Sequence, residues 1–258
     1  MQVNNPITQS PSYIPEETVA EVDAKNLRYR DLNRRLKEID KEYVRNIRII
    51  HVEGQRYIGT DLKNIQRIDI HGTPGNDLGC FMNGPVITVH GNAQDGCGNT
   101  MSDGTIIVHG SAGDILGYAM RGGKIFIEGD AGYRTGIHMK EYRDHKPIIV
   151  IGGSVGDFSG EYMAGGILVI LGLNQNLHKA RYLGTGMHGG VIYIHGESNS
   201  LGKEIEKMEL DAKDYSILHP IIKEFASHFN LNSERLIKRS YIKIRSKSTR
   251  PYGTLYAY

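Results

Sequence analysis

Between residues 68 and 195 the chain runs in short apolar bursts, each closed by a polar residue or glycine: Ile68–His71, Pro85–His90, Thr105–His109, Lys124–Glu128, Ile148–Ile151, Ile167–Leu171 and Val191–His195. A period of two within each burst is the signature of a strand, whose successive side chains point to opposite faces. One alternate set reads Ile68, Ile87, Ile106, Ile125, Ile148, Leu168 and Ile192; the next reads Ile70, Val89, Val108, Ile127, Val150, Ile170 and Ile194. All are aliphatic, which predicts that they stack on one another in an interior. The mid-strand positions between them read Asp69, Thr88, Ile107, Phe126, Ile149, Val169 and Tyr193, polar at the start and then apolar. A solvated sheet face alternates polar throughout, so something is expected to cover this strip.

The connections between the bursts repeat as well. Gly79-Cys-Phe-Met82, Gly98-Asn-Thr-Met101, Gly117-Tyr-Ala-Met120, Gly136-Ile-His-Met139, Gly160-Glu-Tyr-Met163 and Gly184-Thr-Gly-Met187 align on one Gly-x-x-Met pattern. The first four methionines are 19 residues apart and the last two intervals are 24, and six of the eight methionines of the chain fall in this one column. Strand and turn within 19 residues leave no room for a crossover helix. Identical units of that size bury their apolar faces only by stacking. The expected fold is therefore an all-β core, a right-handed parallel β-helix of about seven coils. At ~4.8 Å per coil it stands roughly 30–35 Å tall. The methionines are expected to form an interior ladder of flexible apolar side chains, and the glycines to mark turns that exclude a Cβ. The fourth unit departs from the pattern, with Lys140–Pro147 in place of a Gly-Gly turn.

The flanks read differently. Residues 1–46 form an N-terminal arm and helix, 47–196 the β-helix, and 197–258 a C-terminal helical extension with a basic tail. Pro6, Pro11 and Pro15 suit an extended arm up to about residue 18, while Tyr29, Leu32, Leu36, Ile39 and Tyr43 make one stripe of a helix over residues 23–44. A second stripe comprises Tyr215, Leu218, Ile222, Phe225 and Phe229, with a break or kink at Pro220. Asn232 or Ser233 can cap a short helix, and residues 241–245 alternate like a strand. Helices at both ends are expected as caps of the solenoid, with the second also the favoured cover of the outer apolar strip.

Composition narrows the function classes. Thirty-two glycines without a triplet rule signify turns, and the absence of a long apolar run or of a basic-then-apolar leader pattern makes the cytoplasm the expected location. The net charge of +2 hides seven Lys/Arg and no Asp/Glu from Arg235 onward, leaving 24 basic against 29 acidic residues before it. Such a tail suits a solvated or acidic-partner contact; neither nucleic acid nor membrane is the expected partner. Two cysteines, Cys80 and Cys97, supply neither a disulfide framework nor the four thiolates of a cluster, and are expected to be small structural residues.

Few residues suggest chemistry. His71, His90 and His109 close successive strands, with Glu128 next and His195 at the far end. Three imidazoles one coil apart can share a metal ion, but the column alternates with the aliphatic interior and is expected to be an exposed polar ladder. Glycine-rich runs such as residues 72–79 and 110–117 lack the Gly-Lys-Ser/Thr ending and following helix of a phosphate loop. Asp77, Asp95 and Asp114 are expected to shape turns. No catalytic, cofactor-binding or metal residue is assigned to this chain.

The stretch Gly156–Gly172, with its Glu161-Tyr162-Met163 core, followed by Gly184–Ile194, resembles the C-terminal GXGXG domain of the glutamate synthase large (α) subunit. The resemblance covers about residues 47–195 and extends more weakly into the tail. It implies a free-standing version of that module in a glutamate synthase split into separate chains, with glutamine amide nitrogen passed to 2-oxoglutarate elsewhere. The glutamine amidotransferase chain and the synthase chain holding FMN and an iron–sulfur cluster would then be its partners, and no catalytic residue carries over. The same repeat occurs in the C subunit of formylmethanofuran dehydrogenase, the runner-up. A homo-oligomer is compatible with either.

Overall fold

A computed structural model describes residues 19–42, 44–173, 177–198 and 200–249. The expected arm over residues 1–18, Tyr43 and the last residues of the basic tail lie outside them. In chain order the elements are β1 (Val19–Asp23), α1 (Tyr29–Lys41), β2 (Asn46–Glu53), β3 (Arg67–Thr73), β4 (Asn83–His90), β5 (Asp103–Val108), β6 (Lys124–Ile127), β7 (Ile148–Ile151), β8 (Ala164–Ile170), β9 (Leu177–His178), β10 (Gly189–His195), β11 (Glu197–Ser198), β12 (Ile205–Met208), α2 (Ala212–His228), α3 (Ser233–Ile237) and β13 (Tyr241–Ser246). Strands β1 to β8 and then β10 pair in sequence order, all parallel, so the chain is a β-solenoid of about seven coils with two parallel strands leading into it.

The interior columns form as the alternation predicts, with one slip. Ile47, Ile68, Ile87, Ile106, Ile125, Ile149, Leu168 and Ile192 align through successive registers, and Ile49, Ile70, Val89, Val108, Ile127, Ile151, Ile170 and Ile194 make the second column. In β7 the interior residues are thus Ile149 and Ile151, not Ile148 and Val150, and Val150 replaces Ile149 in the outer column. The physical reason is that β7 is four consecutive β-branched aliphatics. With no polar residue to mark a face, composition cannot set its phase, and a one-residue slip exchanges every side chain. The irregular Lys140–Pro147 connection removes the count from the preceding glycine.

The turns explain the Gly-x-x-Met column. All six methionines are buried, none more than 2% exposed. The six glycines lie at φ +65 to +73°, and a Cβ on Gly98 would sit 2.3 Å from Ile125 Cδ1. Glycine is thus favoured by the left-handed backbone at all six positions and, at Gly79, Gly98, Gly117 and Gly160, also by the core. A further unit precedes those read from the sequence: Gly59, at φ +85°, is followed by buried Leu62 in the methionine position.

The flank is covered as expected, but the ends are closed differently. Helix α1 begins at Tyr29 rather than residue 23, because Val19–Asp23 instead extend the sheet as β1. Its Leu32, Leu36 and Ile39 join the interior cluster. Asp40 accepts hydrogen bonds from the backbone N–H groups of Lys63, Asn64 and Ile65, tying the helix to the first turn. At the other end the stack is closed by β13, antiparallel to β10, with β12 antiparallel to β13. Helix α2 does not cap an end but lies along the flank, with Leu218, Ile221, Ile222 and Phe225 against Ile107, Phe126, Val150, Val169 and Tyr193. The apolar outer strip is covered by the chain's own helix. Asp211 caps α2, Asn232 caps α3, and α2 runs unbroken through Pro220. Tyr215, expected on the buried stripe, is 41% exposed; the buried face instead starts at Asp214. There the Tyr193 hydroxyl donates to the Asp214 carboxylate at 2.7 Å, and the Lys243 ammonium also lies 2.7 Å from it.

Candidate functional site

The histidine column points outward, as the alternation requires. The His71 and His90 rings stack at 4.6 Å between centroids, and His90 and His109 at 5.5 Å. His90 Nε2 is 3.2 Å from Asp69, and His109 Nδ1 is 3.7 Å from Glu128. Because of the β7 slip the next position is Gly152, not Ile151, followed by Leu171, so His195 lies apart from the ladder and hydrogen-bonds the Ser240 carbonyl through Nδ1. Stacking takes the rings alongside one another instead of converging their nitrogens on one point. Among the described residues no group of three or more His, Cys, Asp or Glu is arranged to hold a metal ion.

Cys80 and Cys97 are buried and unbridged, and burial pushes their thiols up to about 11 and about 12. The turn aspartates act between coils. Asp95 Oδ1 accepts the Asp114 N–H, and Asp114 Oδ1 accepts the Tyr133 N–H, each one coil further on.

Sequence reasoning did not find the most unusual surface of the molecule. In the turns, the residues two before and two after the repeat glycine are also left-handed: Ile115 and Ala119 around Gly117, Arg134 and His138 around Gly136, and Phe158 and Tyr162 around Gly160, at φ +51 to +62°. Each costs about 1 kcal/mol for a side chain with a Cβ. The geometry is held by hydrogen bonds along the stack. The Gly117 N–H donates back to Cys97, while the Ile115 and Ala119 N–H groups donate forward to Tyr133 and Ile137. Half of the side chains so turned outward are aromatic. Phe158 and Tyr182 stack at 5.0 Å, His138 and Tyr162 at 5.5 Å, and the Arg134 guanidinium carbon lies 5.6 Å from the Phe158 ring centre. Beside them Tyr133 is 55% and Tyr182 46% exposed. A cleft of about 390 Å³ opens between the two columns, lined by Ile115, Tyr118, Arg134, His138, Glu161 and Tyr162. No composition signal marks these positions, since left-handed Ile, Arg and Phe look like any others.

A second cleft, of about 510 Å³, follows α1. Arg30, Arg34, Lys37 and Lys41 lie in it at helical spacing, with Tyr29 and Tyr57. Its charge is partly answered locally, by Asp31 at 3.3 Å from Arg34 and Asp61 at 3.8 Å from Lys37.

A sequence model described as the GXGXG motif matches residues 32–250. An uncharacterized protein of Methanocaldococcus jannaschii is 46% identical over 254 residues, spanning 93% of this chain and 97% of that one. Among solved structures, a chain of the formyltransferase/hydrolase complex from Methylorubrum extorquens, crystallised with methylofuran, shares the fold. Its TM-score is 0.59 at 19% identity, over 90% of this chain and 92% of that chain.

Proposed function

The chain belongs to the GXGXG motif family, and we propose that within it the protein is a non-catalytic scaffold subunit of a glutamate synthase-like complex. The observation that carries this reading is the Glu161-Tyr162-Met163 segment, the most specific part of the resemblance to the glutamate synthase α subunit. Met163 belongs to the core, while Glu161 and Tyr162 line the turn-edge cleft. One segment therefore serves both the stack and its outer surface. The chemistry belongs to other chains: an amidotransferase that releases the glutamine amide nitrogen, and a synthase with FMN and an iron–sulfur cluster that delivers it to 2-oxoglutarate. A rigid rod of parallel coils, stiffened by α2, suits the task of holding two such chains at a fixed separation.

A second reading, a scaffold like the C subunit of formylmethanofuran dehydrogenase, is favoured by one observation. The solved chain of similar fold belongs to a formyltransferase/hydrolase complex and is matched over nearly its whole length. Co-purification of the tagged full chain with candidate partner chains from the same organism decides between them. The first reading expects a stoichiometric complex that makes glutamate from glutamine and 2-oxoglutarate, with all flavin and cluster absorption contributed by the partner. Such absorption in the purified chain alone would overturn the scaffold role, and assembly only with formyl-transfer chains would establish the second reading.

A further inference from the structure

We propose that the Asn83-Gly84 pair at the start of β4 is a self-modifying site, where the chain converts its own asparagine amide to an aspartyl or isoaspartyl carboxylate through a succinimide. The step is balanced by water alone. Solvent base takes the proton from the Gly84 nitrogen, and that nitrogen bonds to Asn83 Cγ. The Cγ–Nδ2 bond breaks and ammonia leaves. Water then opens the five-membered ring, at Cγ to give aspartate or at the Asn83 main-chain carbonyl to give isoaspartate. No oxidant, metal or partner chain enters.

Three described dipeptides pair asparagine or aspartate with a following glycine, the residue types this ring closure needs: Asn83-Gly84, Asp95-Gly96 and Asp103-Gly104. The fold treats them differently. Gly96 is buried and its N–H donates to the Asp114 carbonyl at 2.9 Å, while Asp95 Oδ1 accepts the Asp114 N–H. Both reacting groups of that pair are held by the next coil. At Asn83-Gly84 neither is held. Both residues are exposed, and the Asn83 amide has no hydrogen-bond partner among the described residues. The β4–β5 register passes from Asn83 opposite Asp103 to Val86 opposite Thr105, and the β3–β4 register begins at Arg67 opposite Val86. Gly84 therefore falls in a bulge with no register partner in either neighbouring strand. Its φ is +119°, and nothing lies within 4 Å of where a Cβ would sit.

The pose that ring closure needs is present one coil on. Asp103, the register partner of Asn83, turns its side chain back so that Oδ1 accepts the Gly104 N–H at 2.8 Å. A side-chain oxygen on that nitrogen brings its Cγ alongside the same atom, the near-attack arrangement of an intramolecular reaction. Gly104, at φ +99°, shares the positive-φ backbone of Gly84, and asparagine is the length of aspartate. An amide, unlike a carboxylate, carries no negative charge to repel the attacking nitrogen, so Asn83 and not Asp103 is the faster site.

The product disturbs the stack. A carboxylate at residue 83 faces that of Asp103 across one coil, and like charges directly opposite one another are destabilising. Isoaspartate also inserts a main-chain carbon between Gly84 and the buried Met82, whose carbonyl accepts the Ser102 N–H. Gly104 packs so closely against this turn that a Cβ on it would lie 2.4 Å from the Pro85 carbonyl oxygen. The added atom has no slack to fill, and the aged chain is expected to melt below the fresh one.

The test incubates the full chain in oxygen-18 water at mildly alkaline pH, folded and, in parallel, unfolded in guanidinium chloride. Peptides are then mapped by mass spectrometry, with isoaspartate resolved by chromatography. In the folded chain residue 83 is expected to exchange its amide for one heavy oxygen within about tenfold of the unfolded rate, whereas folding suppresses label at Asp95 at least about 100-fold, the cost of a misplaced reacting atom. Asn83→Gln, whose longer side chain closes a larger ring, is expected to keep its amide and its initial melting temperature. Suppression at residue 83 as strong as at residue 95 overturns the proposal, and that comparison needs no variant. An Asn83→Gln chain whose melting temperature falls with age as fast as that of the wild type overturns the consequence drawn for the stack.

Discussion

Replacing Gly98 by alanine and, in parallel, Gly136 by alanine separates the two reasons for which the repeat keeps glycine in this column. The backbones are nearly the same, at φ +71° and +72°. The surroundings are not: a Cβ on Gly98 meets Ile125 Cδ1 at 2.3 Å, whereas on Gly136 the nearest heavy atoms are Met139 Cε at 3.8 Å and Ile149 Cδ1 at 3.9 Å, ordinary contact distance. Both variants carry the left-handed penalty of about 1–2 kcal/mol, offset by about 0.4–1 kcal/mol from a stiffer unfolded chain. Gly136→Ala is therefore expected to cost about 1 kcal/mol. Gly98→Ala adds overpacking, since the Ile125 Cδ1 methyl must shift within a fully buried column between Ile106 and Ile149. The added term is about 1–3 kcal/mol. Equilibrium urea unfolding followed by far-ultraviolet circular dichroism reads the difference as a shift in midpoint at constant slope. Equal costs at the two sites, within about 0.5 kcal/mol, would refute the claim that the interior column and not the backbone alone dictates glycine.

Other consequences are as direct. Phe225→Ala on α2 removes a fully buried ring from the outer strip and is expected to cost about 3–5 kcal/mol, with new binding of a hydrophobic dye; unchanged melting and no dye binding would mean that another segment holds the strip. Burial raises the Asp214 carboxyl, but hydrogen bonds from Lys243 and Tyr193 lower it further, leaving it below its ordinary value of 3.8. Its stabilising contribution is therefore complete above that value and is lost as pH falls through the lower folded value. Asp214→Asn is expected to lower the melting temperature at pH 7 and to flatten its fall in acid, and parallel acid profiles would exclude this role. Cys97, fully buried with its thiol pushed up to about 12, is expected to resist a thiol reagent until the chain is unfolded; rapid labelling under native conditions would contradict its interior position.

Most of the fold was legible because the repeat registers its own errors. Six of the seven bursts placed the right residues inside: five carry at least one polar or charged residue that marks the outer face, and Ile167–Leu171 follows directly on the Gly165-Gly166 turn that sets its count. Ile148–Ile151 has neither a polar residue nor a Gly-Gly turn before it, and that is where the phase slipped. The cover of the outer strip was readable from two matching apolar faces, on the strands and on α2. The closure by β13 and β12 was not readable, because antiparallel capping depends on a reversal of the chain through α2 and α3, and a pattern of alternation is indifferent to strand direction. Nor were the left-handed turn positions, where only the backbone angles single out Phe158 or Tyr162.

Helix α2 crosses the coils in reverse order, Asp214 reaching Tyr193 of β10, Glu224 reaching Lys124 of β6, and Phe229 meeting His109 at the end of β5. From Asp214 to Phe229 a helix rises ~22 Å, and the four steps from β10 to β5 amount to ~19 Å. The helix is therefore a ruler laid against the stack. Inserting or deleting one 19-residue unit before β5 would leave this match intact, lengthening or shortening the rod at one end. The same change between β5 and β10 would leave a bare coil, or helix overhanging into water. Natural variation in coil number in this branch of the family should accordingly accumulate on the N-terminal side of Asp103, with the span under the helix held at a fixed count.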